Sequence, residues 1–159
     1  MLQRFFSLIL ILSTLGGCVS INLANEGVER VNNIDLKSPP SPFVEINLIG
    51  SQKAWRSSET GSVISFYSEC GKNVSSDIDA DLDSVTDNLT AATVISREMS
   101  PDKGRIIAKG LNNGISAQID VSVRKNKKCE VILSRSALDS LFEKEKLVYE
   151  KWLSEVEWP

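Results

Sequence analysis

The pattern in this chain that is most similar to a catalytic motif is a serine followed three positions later by a lysine. Ser100-Pro101-Asp102-Lys103 matches the Ser-x-x-Lys arrangement of enzymes that form an acyl-serine intermediate. The other motifs of those enzymes are absent. Pro101 and Gly104 instead occupy the positions that a tight turn favours. We therefore expect this segment to form a hairpin turn and not an active site.

Four aspartates alternate along residues 77–83, which is the early spacing of an EF-hand calcium loop. Such a loop also requires glycine at its sixth position and glutamate at its twelfth, where this chain has Leu82 and Asn88. Leu82 also belongs to an apolar series with helical spacing. We expect an acidic first turn of a helix and no metal site, with weak surface binding of a divalent ion as the alternative.

The chain contains no histidine. This excludes Ser-His and Cys-His nucleophile pairs, histidine-ligated zinc sites and histidine pH switches. A hydrolase would have to use carboxylates alone, and Asp120 with Glu130 on neighbouring predicted strands is the best such pair. Their alternation with apolar residues places both on the solvated side. The sequence therefore predicts no catalytic residue, no enzyme activity and no cofactor.

Composition and charge exclude further classes. The 159 residues include 18 Lys and Arg against 21 Asp and Glu, which gives a net charge of −3. This charge argues against a nucleic-acid partner, because binding to phosphates needs a strong basic excess. A hydrophobic fraction of 42% with 25% charged residues is ordinary for a folded protein of one domain.

One turn nevertheless concentrates positive charge. Arg124, Lys125, Lys127 and Lys128 lie at the end of a predicted strand and in the turn that follows it. We expect these side chains to be solvated and to protect a sheet edge from pairing. Contact with anionic lipid headgroups or cell-envelope polymers is the functional alternative.

Three tryptophans are many for a chain in which 6% of residues are aromatic. Trp152 falls on the apolar face of a predicted C-terminal helix, whereas Trp55 lies in a short predicted strand and Trp158 follows the helix. We expect structural roles for them, with Trp55 or Trp158 as the alternative anchor for a partner.

The N-terminus has the features of an export signal. Arg4 is its only charge before residue 26, and an apolar stretch that is too short to span a bilayer follows. Leu15-Gly16-Gly17-Cys18 resembles the lipobox of bacterial lipoproteins. The resemblance implies that a diacylglyceryl group is transferred to Cys18, that the chain is cleaved before it and that the new amino terminus is acylated. The alternative is an ordinary signal peptide with an incidental cysteine.

The lipobox divides the chain into three parts. Residues 1–17 form the predicted signal peptide, residues 18–42 the lipidated cysteine with a proline-rich tether, and residues 43–159 a single globular domain. A flexible tether of this length reaches roughly 25–30 Å. Val19 follows the cysteine, and in a Gram-negative cell the lack of aspartate at this position resembles an outer-membrane sorting signal, so we expect a protein anchored in the outer membrane and facing the periplasm. Its predicted partners are the membrane, through the lipid, and an envelope protein.

Two cysteines remain after lipidation of the first. Cys70 and Cys129 lie on the core-facing side of predicted strands, and an even pair in an exported chain favours a disulfide. Closing a loop of about 60 residues stabilises the fold by roughly 4 kcal/mol in the loop-entropy description. Two buried free thiols are the alternative.

Hydrophobic periodicity predicts the secondary structure. Alternation predicts six strands near residues 43–48, 63–69, 93–99, 105–111, 115–123 and 129–133, the first with Val44, Ile46 and Leu48 facing the core. Residues 54–56 are an optional brief strand in addition. Helical spacing predicts a helix over residues 76–89, capped by Ser75 or Ser76. A second helix is predicted over residues 137–156, with Ser136 and Asp139 as its capping box. The prediction is an α+β domain with a mostly antiparallel sheet of about six strands and two helices.

This order of elements resembles the Mog1/PsbP-like fold. The local pattern is also similar to small bacterial lipoproteins in which a tryptophan and a glycine precede an Ile-Ser-aromatic strand and a Ser-x-Cys, here Ile64-Ser65-Phe66 and Ser68-Glu69-Cys70. A second cysteine comes late, before a helix that starts with Phe142-Glu143. Proteins of this fold mostly bind other proteins or assist assembly, so the resemblance implies an accessory role. It assigns no functional residue.

We therefore expect a non-catalytic binding or accessory module for a protein or another envelope component. The alternative is a carrier of lipid or of a small ligand, with the ligand in a pocket between sheet and helix. A carboxylate-based hydrolase is the third hypothesis.

Overall fold

A computed structural model describes residues 36–71 and 77–158 of the chain. The strands are β1 (Phe43–Ile46), β2 (Lys53–Ser57), β3 (Val63–Cys70), β4 (Thr90–Ser100), β5 (Lys103–Asn112), β6 (Ile115–Lys125) and β7 (Cys129–Leu138). The helices are α1 (Ile78–Thr86), a 3-10 helix (Asp139–Glu145) and α2 (Lys146–Glu155). All neighbouring strands are antiparallel in one sheet of order β1-β2-β3-β7-β6-β5-β4.

The helices cover opposite faces of this sheet, which we call the α1 face and the α2 face. On the α1 face, alternate residues of β6 such as Ile119 and Val121 pack with Leu82 of α1. On the α2 face, Leu133 of β7 packs with Trp152 of α2. Both faces are therefore buried over the centre of the sheet. The predicted α+β class is confirmed, with seven strands where we expected about six.

Helix α1 begins at Ile78, after an N-cap that is Asp77. The Asp77 carboxylate accepts hydrogen bonds from the backbone N–H groups of Asp79 and Ala80, which satisfies donors that have no partner inside the helix. Ser75 and Ser76, the caps expected from the sequence, lie outside the described residues. The helix ends before Leu89, but this side chain is buried in the same core cluster.

Strand β7 continues to Leu138, so the prediction that a helix begins at Ala137 is wrong. Leu138 pairs with Ala117 of β6, and this ladder of backbone hydrogen bonds outweighs the local helical signal. Ser136 therefore lies inside a strand and caps no helix. The regular helix starts only at Lys146. Within residues 36–71 and 77–158, no helix is long and apolar enough to cross a membrane.

The prediction for the first strand is confirmed only in part, because Ile46 on the predicted core side is half-buried but Val44 is not buried. Val44 is 61% exposed, whereas Phe43 is buried in the cluster under α2. The segment before β1 packs on the same cluster as Phe43. Leu36 is 4% exposed, and the indole Nε1 of Trp152 donates to the carbonyl of Lys37 at 2.9 Å. Part of the segment that the sequence assigned to the tether thus contributes to the core.

Candidate functional site

A cavity of about 320 Å³ opens between the β4–β5–β6 part of the sheet and the chain that leaves α2. We call it the α2 groove. Two polar rows cross its three strands on the α2 face, and two apolar side chains form its wall. The first row is Glu98, Arg105 and Ser122, the second row is Ser100, Lys103 and Arg124, and the wall is Leu153 and Trp158.

Two cations face each other in the second row. Lys103 and Arg124 are direct partners in the β5–β6 register, which places their side chains next to each other on one face. Neither forms an ion pair with any described residue. Like charges at directly opposite positions destabilise a sheet, so this pair is an electrostatic cost that the described structure leaves uncompensated.

Arg124 packs against the ring of Trp158. Its guanidinium carbon lies 4.2 Å from the centroid of the Trp158 ring, a cation–π contact worth about 0.5–1 kcal/mol at an exposed site. Trp158, which the sequence offered as a possible anchor, therefore lies at the α2 groove. The contact favours a position of the guanidinium over the Trp158 ring.

Arg105, in the first row, binds a carboxylate that is buried beneath the groove. Its Nε and Nη2 donate to the two carboxylate oxygens of Asp120 at 2.9 and 2.7 Å, and Nη2 lies 3.5 Å from Glu150 of α2. The Asp120 side chain is 2% exposed. Hydrogen bonding to Asp120 raises the pKa of Arg105 above its usual value, so this arginine is charged at neutral pH.

Beneath this pair lies a second arginine, Arg135, which is fully buried. Its guanidinium packs 4.0 Å from the ring centroid of Phe142 and 5.0 Å from that of Tyr149. Among the described residues, none of its three side-chain nitrogens has a hydrogen-bond partner. Burial lowers the pKa of Arg135, and burial likewise raises the pKa of the Tyr149 hydroxyl.

The structure divides the predicted basic cluster between the two faces of the sheet. Arg124 points to the α2 groove, whereas Lys125, one residue later, points to the α1 face. Lys125 pairs there with Asp81 of α1 and, at 3.1 Å, with Glu130 of β7. Lys127 and Lys128 are exposed in the turn. Only one of the four cations thus lines the cavity.

The acidic turn of α1 is used in ion pairs. Arg97 of β4 binds Asp79 and, at 2.7 Å, Asp83, while Asp81 pairs with Lys125. Within the part of the chain that the structure describes, no three acidic or cysteine side chains are grouped so that they could hold a metal ion.

The prediction that Asp120 and Glu130 lie together on a solvated side is wrong. Asp120 is 1% exposed on the α2 face and Glu130 is 3% exposed on the α1 face. The alternation was correctly identified, but helices cover both faces, so polar positions are buried too. The two carboxylates point to opposite sides of the sheet and do not form a pair.

Cys70 and Cys129 form the predicted disulfide. They are direct partners in the β3–β7 register, with Cα atoms 4.0 Å apart. Trp55, the other candidate anchor, is 1% exposed, and its ring centroid lies 5.7 Å from that of Trp152. It is therefore part of the core. Cys18 lies outside the described residues.

The Ser-x-x-Lys segment is the predicted hairpin. Strand β4 ends at Ser100 and β5 begins at Lys103, and the Ser100 hydroxyl donates to the backbone carbonyl of Lys103 at 3.2 Å. The sequence signalled this turn, but it missed that Lys103 lies beside Arg124. Only the register of β5 against β6 brings these two residues together.

Comparisons with known proteins identify the fold. No protein-family model matches this chain, and no curated protein sequence is significantly similar to it. The solution structure of cyanobacterial PsbP (CyanoP) from Synechocystis sp. PCC 6803 is similar, with a TM-score of 0.50 and 14% identity. The match covers 72% of this chain and 81% of that chain. The domain therefore has a PsbP-like α+β fold, as the order of its elements predicted.

Proposed function

We propose that this protein is a lipid-anchored, non-catalytic accessory module of the cell envelope that binds another protein through the α2 groove. The observation that carries the proposal is the pairing of Lys103 with Arg124, two uncompensated cations beside the apolar wall of Leu153 and Trp158. A surface that joins charge to exposed apolar area is typical of protein recognition.

The chemistry of the groove supports binding over catalysis. Its one serine with a lysine neighbour, Ser100, donates its hydroxyl to a backbone carbonyl, so the Lys103 amine does not activate it. The buried carboxylate beside the groove, Asp120, accepts hydrogen bonds from Nε and Nη2 of Arg105. The carboxylate in the lining, Glu98, lies opposite Arg105 and not Ser100. A nucleophile with an adjacent general base is the usual signature of covalent catalysis, and these contacts do not provide one.

The lipid anchor is proposed from the lipobox at Cys18. The disulfide between Cys70 and Cys129 supports an exported location, since such bonds persist in oxidising compartments. An anchored chain of this kind would face the periplasm from the outer membrane. Metabolic labelling with radioactive palmitate tests the anchor: the label should appear on the wild-type chain and disappear in Cys18→Ser. Equal labelling of both chains would show that Cys18 is not the lipidated residue.

Crosslinking in living cells tests the groove as the binding surface. The photoreactive residue p-benzoylphenylalanine replaces Trp158 in one variant and Leu147 in the other. Leu147 is 80% exposed on α2 but does not line the groove, so it is the matched control. We expect a discrete crosslinked protein from position 158 and none from position 147. The same product from both positions, or none from either, would exclude the groove as the contact surface.

A ligand carrier is the second candidate, because the described part of the chain has another cavity. It measures about 410 Å³ and lies between the segment around Leu36 and α2, with Trp152 and Val156 in its lining. Both cavities lie at the lower end of the range for small-ligand pockets. Native mass spectrometry of the protein purified from its host would detect a retained small molecule, which would favour this function over the first.

A further inference from the structure

We propose that the α2 groove recognises a carboxylate side chain within an acidic segment of its partner, and this inference rests on the proposed function. The carboxylate is placed between Lys103 and Arg124. An apolar residue beside it in the partner packs against Leu153 and Trp158.

The charges around the groove indicate an anionic ligand. One carboxylate, Glu98, lines the groove and lies opposite Arg105 in the β4–β5 register, and the buried Asp120 pairs with the same arginine. The cross-strand pair Lys103 and Arg124 is left without a counter-ion among the described residues. A carboxylate inserted there would remove the like-charge repulsion and form charge-assisted hydrogen bonds, which are roughly twice as strong as neutral ones.

The geometry favours a carboxylate with an apolar neighbour. Arg124 lies 4.2 Å from the Trp158 ring, so its planar guanidinium is oriented in advance for two parallel hydrogen bonds to a carboxylate. The exposed remainder of the ring and the Leu153 side chain offer apolar contact area next to this charge. A ligand that carries both features gains from both, whereas a simple anion gains only from the first.

The size of the groove favours a chain segment as the occupant. A cavity of about 320 Å³ holds a few side chains but not a folded surface, so the partner presents an extended or looped segment. A lipid surface is less suitable. Flat anionic membranes attract protruding cations, and the exposed lysines Lys127 and Lys128 lie in the turn and not in the groove lining.

Selection from a phage-displayed dodecapeptide library tests this inference. The whole chain, purified in detergent, is the bait, in the wild-type form and as Lys103→Gln/Arg124→Gln. We expect wild-type protein to enrich peptides with Asp or Glu beside an aromatic or large aliphatic residue. The best synthetic peptide should bind the double variant at least tenfold more weakly. Lys128→Gln, which removes an exposed turn cation, should bind it within twofold of wild type.

Three results would overturn the inference: no peptide is enriched, the enriched consensus has no acidic residue, or wild type and double variant bind the peptide equally. Binding of wild-type protein to phosphatidylglycerol vesicles, lost in the double variant without peptide enrichment, would replace the peptide by a lipid headgroup. A crosslink at position 158 with a non-acidic consensus would preserve the proposed function and reject the carboxylate alone. Cooperative thermal unfolding of the double variant, at a temperature no lower than that of wild type, verifies its fold.

Discussion

Asp120 lies directly opposite Arg135 in the β6–β7 register, yet its carboxylate binds Arg105 of the other neighbouring strand. Two arginines therefore adjoin one buried carboxylate, and the fully buried one has no hydrogen-bond partner among the described residues. Negative charge on Asp120 offsets the cost of burying the guanidinium of Arg135. Asp120 therefore contacts one arginine directly and lowers the electrostatic cost of burying the other.

Asp120→Asn should therefore destabilise the fold strongly. The substitution breaks the buried ion pair with Arg105 and removes the carboxylate that faces Arg135, and breaking a buried ion pair costs about 3–5 kcal/mol. Arg105→Gln should cost less, because Asp120 then remains next to Arg135. Urea unfolding of the two variants gives the free energies. A loss for Arg105→Gln as large as that for Asp120→Asn would show that Asp120 does not stabilise Arg135.

Glu130 should make stability depend on pH. Burial, and then the nearby Asp81, raise its pKa from 4.5 to about 7. Between these values the folded state keeps a proton that the unfolded state has lost. The free energy of unfolding should therefore fall as pH rises from about 4.5 to about 7, by at most about 1.4 kcal/mol per pH unit.

Glu130→Gln should remove this slope and raise stability above pH 7 relative to wild type. Unfolding curves at several pH values measure the effect, and Glu143→Gln, at an exposed position, is the control. If the slope of Glu130→Gln equals that of wild type, the carboxyl is not protonated in the folded protein.

Gly104→Ala should destabilise the packing of α1 against β5. A methyl group at this position would lie 2.6 Å from Cγ2 of Ile78 and 2.8 Å from Cδ1 of Leu82, which is closer than atoms can pack. Overpacking of this kind costs about 1–3 kcal/mol. Thermal unfolding measures it, with Lys109→Ala, an exposed position on the same strand, expected to change little. An unaltered melting temperature for Gly104→Ala would mean that α1 does not pack against β5.

Loss of the disulfide should cost about 2–4 kcal/mol. Cys70 and Cys129 close a loop with a sequence separation of 59, which restricts the unfolded chain. Cys129→Ser should run at the same position on reducing and non-reducing gels, whereas wild type should shift. Equal unfolding free energies for wild type under oxidising and reducing conditions would contradict the stabilising role.

The elements of the fold were predictable from the sequence where one pattern dominated. The alternation from Ile119 to Val123 identified β6, and the spacing of Ile78, Leu82 and Val85 identified α1, because each pattern matches the period of its element. Val44 was predicted to be buried but is exposed, since a four-residue edge strand that is apolar on both sides carries little information about which side chains the core covers.

The candidate site was less predictable, because it depends on register and on coverage of the sheet. The proximity of Lys103 and Arg124 follows only from the pairing of β5 with β6. We predicted that Asp120 is exposed to solvent. Alternation shows that a strand has two faces, but it does not show whether a helix covers the second face. Charged residues in the middle of strands, such as Arg135 between two serines, were the available signal that the second face is buried.

The most direct test of the account combines the crosslink with a reversal of groove charge. p-Benzoylphenylalanine at position 158 is placed in the otherwise wild-type chain and in Lys103→Glu/Arg124→Glu, and the crosslinked product is quantified in cells at equal protein levels. We predict at least a tenfold loss of product in the reversed variant, with its disulfide still formed. An undiminished product would contradict the claim that this cationic pair binds the partner.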